Sequence, residues 1–279
     1  MKTSYKLYIA KIIHFFLTKV LLLNKNQLVV RNNISWNLDL DEGIDLAIFL
    51  FGKFQNEISQ TILRIASKNK TKMIVLDIGS NIGDKSLSIA YYFSKNNFEY
   101  FIHSIEPTDF AYNKQLKNLE LNKSLSNNIK LHKLYLTNNQ KPKSIFSSWN
   151  LLKKNTHKIH KGVLKKIGTE TKKETLDNFI ISNQIKNVKI IKIDVDGNEL
   201  NILKSGREFI KKQSPFIIME FAPYALEENG NSVADFFTFL KSINYNAYSL
   251  NFKKLEKITI KDGRSIDILL CKDKLNIKL

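Results

Sequence analysis

The chain of 279 residues carries 44 lysines and arginines against 26 acidic residues, a formal net charge of +18, and a single cysteine. That length buries one large core and fits a single α/β domain with an N-terminal extension better than two equal domains. One cysteine, Cys271, excludes an intramolecular disulfide and points to a reducing, cytoplasmic compartment with Cys271 in the core.

Only Arg31, Arg64, Arg207 and Arg264 are arginine. That is few guanidinium forks for base or phosphate recognition, so the charge reads as solvated lysine and disfavours nucleic acid as the main partner. The first 70 residues form the extension. Leu7–Leu23 is apolar but contains Lys11, His14 and Lys19, which a membrane-spanning helix would have to bury. On a helix His14 falls on a polar face with Lys11 and Thr18, and the apolar face either packs on the domain, the commoner arrangement, or rests on the inner membrane surface through residues 5–23. Two short strands follow, 28–31 and 34–40, the second alternating around Trp36, and then a helix over 56–68.

From residue 71 the pattern alternates strand and helix. Met73 to Asp84, M-I-V-L-D-I-G-S-N-I-G-D, reads as a buried strand, a tight turn and a helix start. Gly79 and Gly83 suit a turn in which backbone comes close to a ligand. The next strand, 100–105, ends in Glu106, where an acidic side chain can hold a ribose diol. A helix with Phe110, Leu116, Leu119 and Leu121 and a strand over 129–136 lead into a lysine-rich insertion at about 137–173, which includes Trp149, His157 and His160. The two histidines lack further ligands for a zinc site.

Beyond the insertion come a helix at 175–185, a strand at 188–195, a helix at 199–210, a strand at 215–221, a helix at 232–242 and strands at 245–250 and 266–272. Seven strands with intervening helices predict a Rossmann-like, doubly wound sheet, mostly parallel with an antiparallel last strand. The strand order gathers Asp194, Asp196, Glu199 and Glu220 at the carboxyl edge of that sheet. Asp194, Asp196 and Glu220 are the candidate catalytic carboxylates, and Glu199 could instead orient the loop. Crowded carboxylates repel, so at least one should bind its proton more tightly than usual.

The blocks L-D-I-G-S-N-I-G (76–83), I-E-P (105–107), N-L-E-L-N (118–122), T-L-D-N (175–178) and I-K-I-D-V-D-G-N-E-L-N-I-L-K-S-G (191–206) resemble the FkbM family of class I methyltransferases. The resemblance implies S-adenosylmethionine as cofactor. Asp77 would lie near its ammonium, Gly79, Ser80, Asn81 and Gly83 along its amino-acid portion, and Glu106 on its ribose. It also implies O-methylation of a sugar, glycolipid or secondary metabolite, with one carboxylate as base or two holding a divalent ion. Two positions depart from the family pattern, Gln55 and Asp196, where a glutamate is usual. They keep open a non-catalytic binding module of the same fold, and the net charge keeps open RNA 2′-O-methylation. The sequence leaves the oligomeric state open.

Overall fold

The computed structural model of the protein describes residues 3–68, 71–138, 145–147, 150–152, 163–165, 171–255, 260 and 264–272. The N-terminal apolar run forms helix α1 (Thr3–Phe15), continued by a wide π-type turn over Phe16–Val20. Leu7, Ala10, Ile13 and Leu17 pack it on Leu40, Leu46 and Leu151. His14 departs from the polar-face expectation. It is buried, with Nε2 2.8 Å from Oδ1 of Asp41, because the face it occupies is the one that packs.

Strands β1 (Asn26–Arg31) and β2 (Ile34–Asp39) pair as an antiparallel hairpin. Its two turn residues, Asn32 and Asn33, both have positive φ, a conformation asparagine tolerates. Ile34, Trp36 and Leu38 alternate inward as the sequence predicts. Helices α2 (Gly43–Phe51) and α3 (Asn56–Ser67) complete the extension. Trp36, Ile62 and Ile65 share one core with Val75 and Ile102, so the extension covers a face of the main sheet.

That sheet grows through β3 (Met73–Ile78), α4 (Asp84–Lys95), β4 (Tyr100–Ile105), α5 (Asp109–Leu121), α6 (Lys123–Ser126) and β5 (Ile129–His132). Three-residue strands β6 (Leu134–Leu136), β7 (Ile145–Ser147), β8 (Val163–Lys165) and β9 (Lys172–Glu174) follow. Then come α7 (Leu176–Ser182), β10 (Val188–Ile193), α8 (Glu199–Ser205), α9 (Arg207–Gln213), β11 (Phe216–Phe221), α10 (Pro223–Glu228), α11 (Val233–Ser242), β12 (Tyr245–Ser249) and β13 (Ile266–Lys272). The seven-stranded order is β12-β13-β11-β10-β3-β4-β5. Every pairing is parallel except those of β13, which lies antiparallel between β11 and β12. The expected architecture is present, the last strand being the reversed one.

Strand alternation splits the core in two. Leu76 and Ile78 face the cluster built with α7, α8 and α11, while Met73 and Val75 face α3, α4 and the hairpin. Both faces are covered, which is why these strands read as continuous apolar runs.

Two elements differ from the sequence reading. The strand expected over 129–136 breaks at Lys133: β5 joins the main sheet and β6 leaves it to pair in parallel with β9. Ile129, Leu131, Leu134 and Leu136 keep apolar residues recurring on both sides of Lys133, which hides the break. The helix expected over 199–210 stops at Ser205 and restarts at Arg207, with Gly206 between them at φ −113° and ψ 22°; Gly206 is pressed against Leu176, whose Cδ2 would lie 2.5 Å from any Cβ added there. Within the lysine-rich segment β7 and β8 pair antiparallel, and Trp149, His157 and His160 lie outside the described residues. Among the described residues no helix is long and apolar enough to cross a membrane.

Candidate functional site

β3 is the strand at which the sheet reverses its order of addition, with β4 on one side and β10 on the other. Open α/β sheets bind ligands at the carboxyl ends of the strands beside such a point. Ile78 and Ile105 are register partners, so the turn after β3 and the acid after β4 leave the sheet side by side. The amides of Gly79 and Ser80 both donate to the Ile105 carbonyl, at 2.9 and 3.1 Å. The Asn81 amide donates to Oε2 of Glu106 at 3.0 Å. The amide and hydroxyl of Thr108 donate to Oε1 at 2.9 and 2.6 Å. Burial raises the Glu106 carboxyl above its ordinary range, and the hydrogen bonds from Thr108 and Asn81 work against that rise.

Between the two tips lies a hollow that is partly open to solvent. Gly79, Asn81, Glu106, Asp194 and Asp196 line it on the polar side; Pro107, Ala111, Leu134 and Leu136 make an apolar wall. A carboxylate beside an apolar slot suits a nucleoside, with the diol on the acid and the base on the wall, so these residues fit an adenosyl group.

Not every residue of the turn faces this hollow. Ser80 turns away and donates from Oγ to Oε1 of Gln115 at 2.7 Å. Gly83, at φ +88°, lies with Cγ of Gln115 2.9 Å from any added Cβ. Gly79, at φ +75°, is closed still more tightly, since a Cβ would come 2.0 Å from the Asp194 carbonyl oxygen. These glycines admit β10 and α5 to the turn, and Gly79 also lines the hollow in which the sequence reading expects the ligand. Asp77 is fully buried and lies outside the lining. Its Oδ2 accepts from Ser86 Oγ at 2.6 Å, and its Oδ1 has no aligned hydrogen bond and lies 3.3 Å from Nζ of Lys192.

Lys192 went unnoticed in the sequence, although a lysine inside the otherwise apolar I-I-K-I was the available signal. It is buried, donates to the Gly79 carbonyl at 2.9 Å, and approaches Oδ2 of Asp194 at 3.8 Å. Burial alone would lower its pKa; Asp77 and Asp194 outweigh that and leave it raised. Lys192 therefore ties β3, the turn and β10 together at the floor of the hollow.

Asn118 and Asn122 were also part of the motif without a role. Asn118 accepts from the Asn37 amide at 2.8 Å and donates to the Ile82 carbonyl at 3.0 Å; Asn122 both accepts from and donates to the Ser35 backbone, at 2.9 and 2.7 Å. They fasten the hairpin edge to α5.

Among the carboxylates, Asp194 and Asp196 line the hollow, while Glu220 and Glu199 do not. The Asp194 amide donates to the Ile78 carbonyl at 3.1 Å, and Asp196 sits at φ +52°, a conformation that re-aims the chain after β10. Glu199 accepts from the amides of Val195 and Gly197 at 3.1 and 3.2 Å and so shapes that turn. Glu220 accepts from Ser265 Oγ. Burial pushes the Asp196 carboxyl well up, with Asp194 and Glu199 adding to it. Glu220 behaves the same way beside Asp194 and Asp196, and burial brings Glu199 to about 7. Gln55 precedes α3 at φ +45° and does not reach the hollow's lining. Among the described residues no group of three or more His, Cys, Asp or Glu side chains is arranged to hold a metal ion.

The profile of the methyltransferase FkbM domain matches residues 77–247. No curated protein sequence matches the chain. Among solved structures, the methyltransferase FkbM from Methylobacillus flagellatus KT is 17% identical with a TM-score of 0.44, the match covering 72% of this chain and 44% of that one, under half its length. The METTL16 MTase domain is 13% identical, TM-score 0.49, covering 97% and 82%. TrmK of M. capricolum, in complex with S-adenosyl-homocysteine, is 15% identical, TM-score 0.41, covering 76% and 66%.

Proposed function

The chain belongs to the methyltransferase FkbM domain family, a family of S-adenosylmethionine-dependent methyltransferases, and on that premise we propose that it transfers the methyl group to a hydroxyl of a sugar, glycolipid or secondary metabolite. The observation that carries this reading is the join between Asn81 and Glu106, which holds a carboxylate in the lining of the hollow that Asp194 and Asp196 also line.

S-adenosylmethionine, when bound, supplies a methyl group already activated by its sulfonium. The chain's own part is then alignment and proton removal. Glu106 takes the ribose diol, and Pro107, Ala111 and Leu134 enclose the base. The acceptor hydroxyl sits on the Asp194–Asp196 side, where its proton passes to a carboxylate oxygen. Burial and the neighbouring Asp194 hold a proton on Asp196 more tightly than usual, so Asp196 serves as the base only in its ionised form.

Calorimetry with S-adenosylmethionine, followed by incubation with labelled cofactor and fractionated glycans, lipids and RNA, tests the proposal. Cofactor binding with label appearing in a glycan or lipid hydroxyl is the expected result. Label in RNA ribose would move the acceptor to the alternative raised by the net charge. Binding without transfer to any fraction would favour the non-catalytic module.

A further inference from the structure

Helix α1 has two apolar faces, and the domain uses one. Leu7, Ala10, Ile13 and Leu17 are packed. The residues between them recur at helical spacing on the outside: Tyr5, Tyr8, Ile9, Ile12, Phe15 and Phe16, with Tyr8 66% and Phe15 61% exposed. The stripe runs on past the π-type turn to Leu22, 79% exposed. A row of large apolar side chains held out on a rigid helix marks a surface that something else covers.

The charge around it indicates what does so. Residues 1–38 contain six lysines and arginines and no acidic residue, the first acid being Asp39. Lys11, Lys19 and Lys25 are exposed along the same segment. Asp41 pairs with His14 and Lys25, which leaves Lys11 and Lys19 as the charges beside the stripe, and a second copy of this chain would set these lysines against their own kind, since a two-fold contact joins like to like. An anionic bilayer answers both features: acyl chains receive the apolar stripe and headgroups receive the lysines. Among the described residues no helix is long and apolar enough to cross a membrane, and Lys11 sits mid-way along this segment.

We infer that the outer stripe of α1 is a membrane-docking surface that lies in the plane of an anionic lipid bilayer. This stands independently of the methyl-transfer reading. The docked helix is coupled to the site through buried contacts: α1 packs on Leu46 of α2, and Asp45 of α2 is paired with Lys114 of α5, the helix that carries Ala111 into the hollow. Docking would therefore fix the orientation of the hollow relative to the lipid surface.

Flotation of the full chain with phosphatidylcholine vesicles, with and without phosphatidylglycerol, tests this. The chain should float with the anionic vesicles, more weakly as salt rises, and stay behind with the neutral ones. Ile12→Glu with Phe15→Glu should lower partitioning about tenfold or more, and Lys11→Gln with Lys19→Gln about fivefold per lysine. All four positions are exposed, so circular dichroism and thermal unfolding should match the wild type. The inference fails if the wild type does not float with anionic vesicles, or if the Ile12→Glu, Phe15→Glu chain floats equally well. It also fails if sedimentation finds a dimer that this variant splits while neither form binds lipid.

Discussion

The backbone amide of Asn81 donates to Oε2 of Glu106 across 3.0 Å while Thr108 holds Oε1, so each oxygen of one buried carboxylate is claimed by a different neighbour. This makes Glu106→Gln a sharper test than its near-identical shape suggests. A glutamine has one acceptor, so its NH₂ must face either the Asn81 amide or the Thr108 donors. Leaving a buried donor unmet costs about 1–3 kcal/mol. The variant should lose about that much in urea unfolding and bind S-adenosylmethionine at least about tenfold more weakly by calorimetry, the cost of one lost charge-assisted hydrogen bond. Thr108→Val, which leaves Oε2 and Asn81 untouched, should lose about 1 kcal/mol of stability and little affinity. Equal cofactor affinity in wild type and Glu106→Gln would remove Glu106 from the ribose.

Lys192 gives a second test, of the floor beneath the hollow. Its ammonium lies 3.3 Å from Asp77 and 3.8 Å from Asp194, all but enclosed. Lys192→Met leaves the fully buried Asp77 without its counter-charge and should cost about 3–5 kcal/mol. Pairing it with Asp77→Leu removes the stranded charge, so the double variant should be more stable than Lys192→Met alone. Because the folded-state pKa of Lys192 is raised, the pair's contribution is complete below the ordinary lysine value of 10.5 and disappears only as pH climbs past the folded value. A double variant no more stable than the single one would show that Asp77 does not depend on Lys192.

The strands and the switch point were legible because buried parallel strands between helices leave unbroken runs such as M-I-V-L and I-I-M. The acid after each run could be assigned to the carboxyl edge without coordinates. Side-chain direction was not legible. Ser80, Asn81 and Gly83 lie within four residues of one another, yet of these three only Asn81 reaches the hollow, because Gln115 draws Ser80 to α5. The break at Lys133 and the inward turn of His14 escaped for a related reason: both depend on partners far along the chain, Glu174 of β9 and Asp41, that no local period encodes.

The two turn glycines should separate by what each would strike. A methyl on Gly79 meets a carbonyl oxygen of the backbone at 2.0 Å, which cannot move without displacing the end of β10. A methyl on Gly83 meets the flexible side chain of Gln115 at 2.9 Å. Both also impose the left-handed conformation on alanine, about 1–2 kcal/mol. Gly83→Ala should therefore lose about 1–3 kcal/mol in thermal unfolding, and Gly79→Ala at least about 4 kcal/mol or the fold itself. Similar losses at the two positions would refute the close approach of Asp194. Loss of cofactor binding in a Gly79 variant reports on β10 before it reports on the cofactor.

The proton held by Glu199 sets the sign of the pH dependence of stability. Burial brings its folded-state pKa to about 7 from an ordinary 4.5, so the folded chain binds that proton more tightly than the unfolded chain. Its favourable contribution is complete below about pH 4.5 and is lost as pH rises through about 7, a change on the order of a few kcal/mol. Asp196 and Glu220 shift in the same direction, and Asp267 does so to about 6, so stability should decline across this window. Glu199→Gln keeps an acceptor for the amides of Val195 and Gly197 but has no charge to bury. Urea unfolding at a series of pH values should show a shallower decline for this variant and a more stable folded state than wild type above pH 7. Identical slopes for the two proteins would mean that Glu199 stays ionised in the fold, and that the turn after β10 is held by a charge and not by a proton.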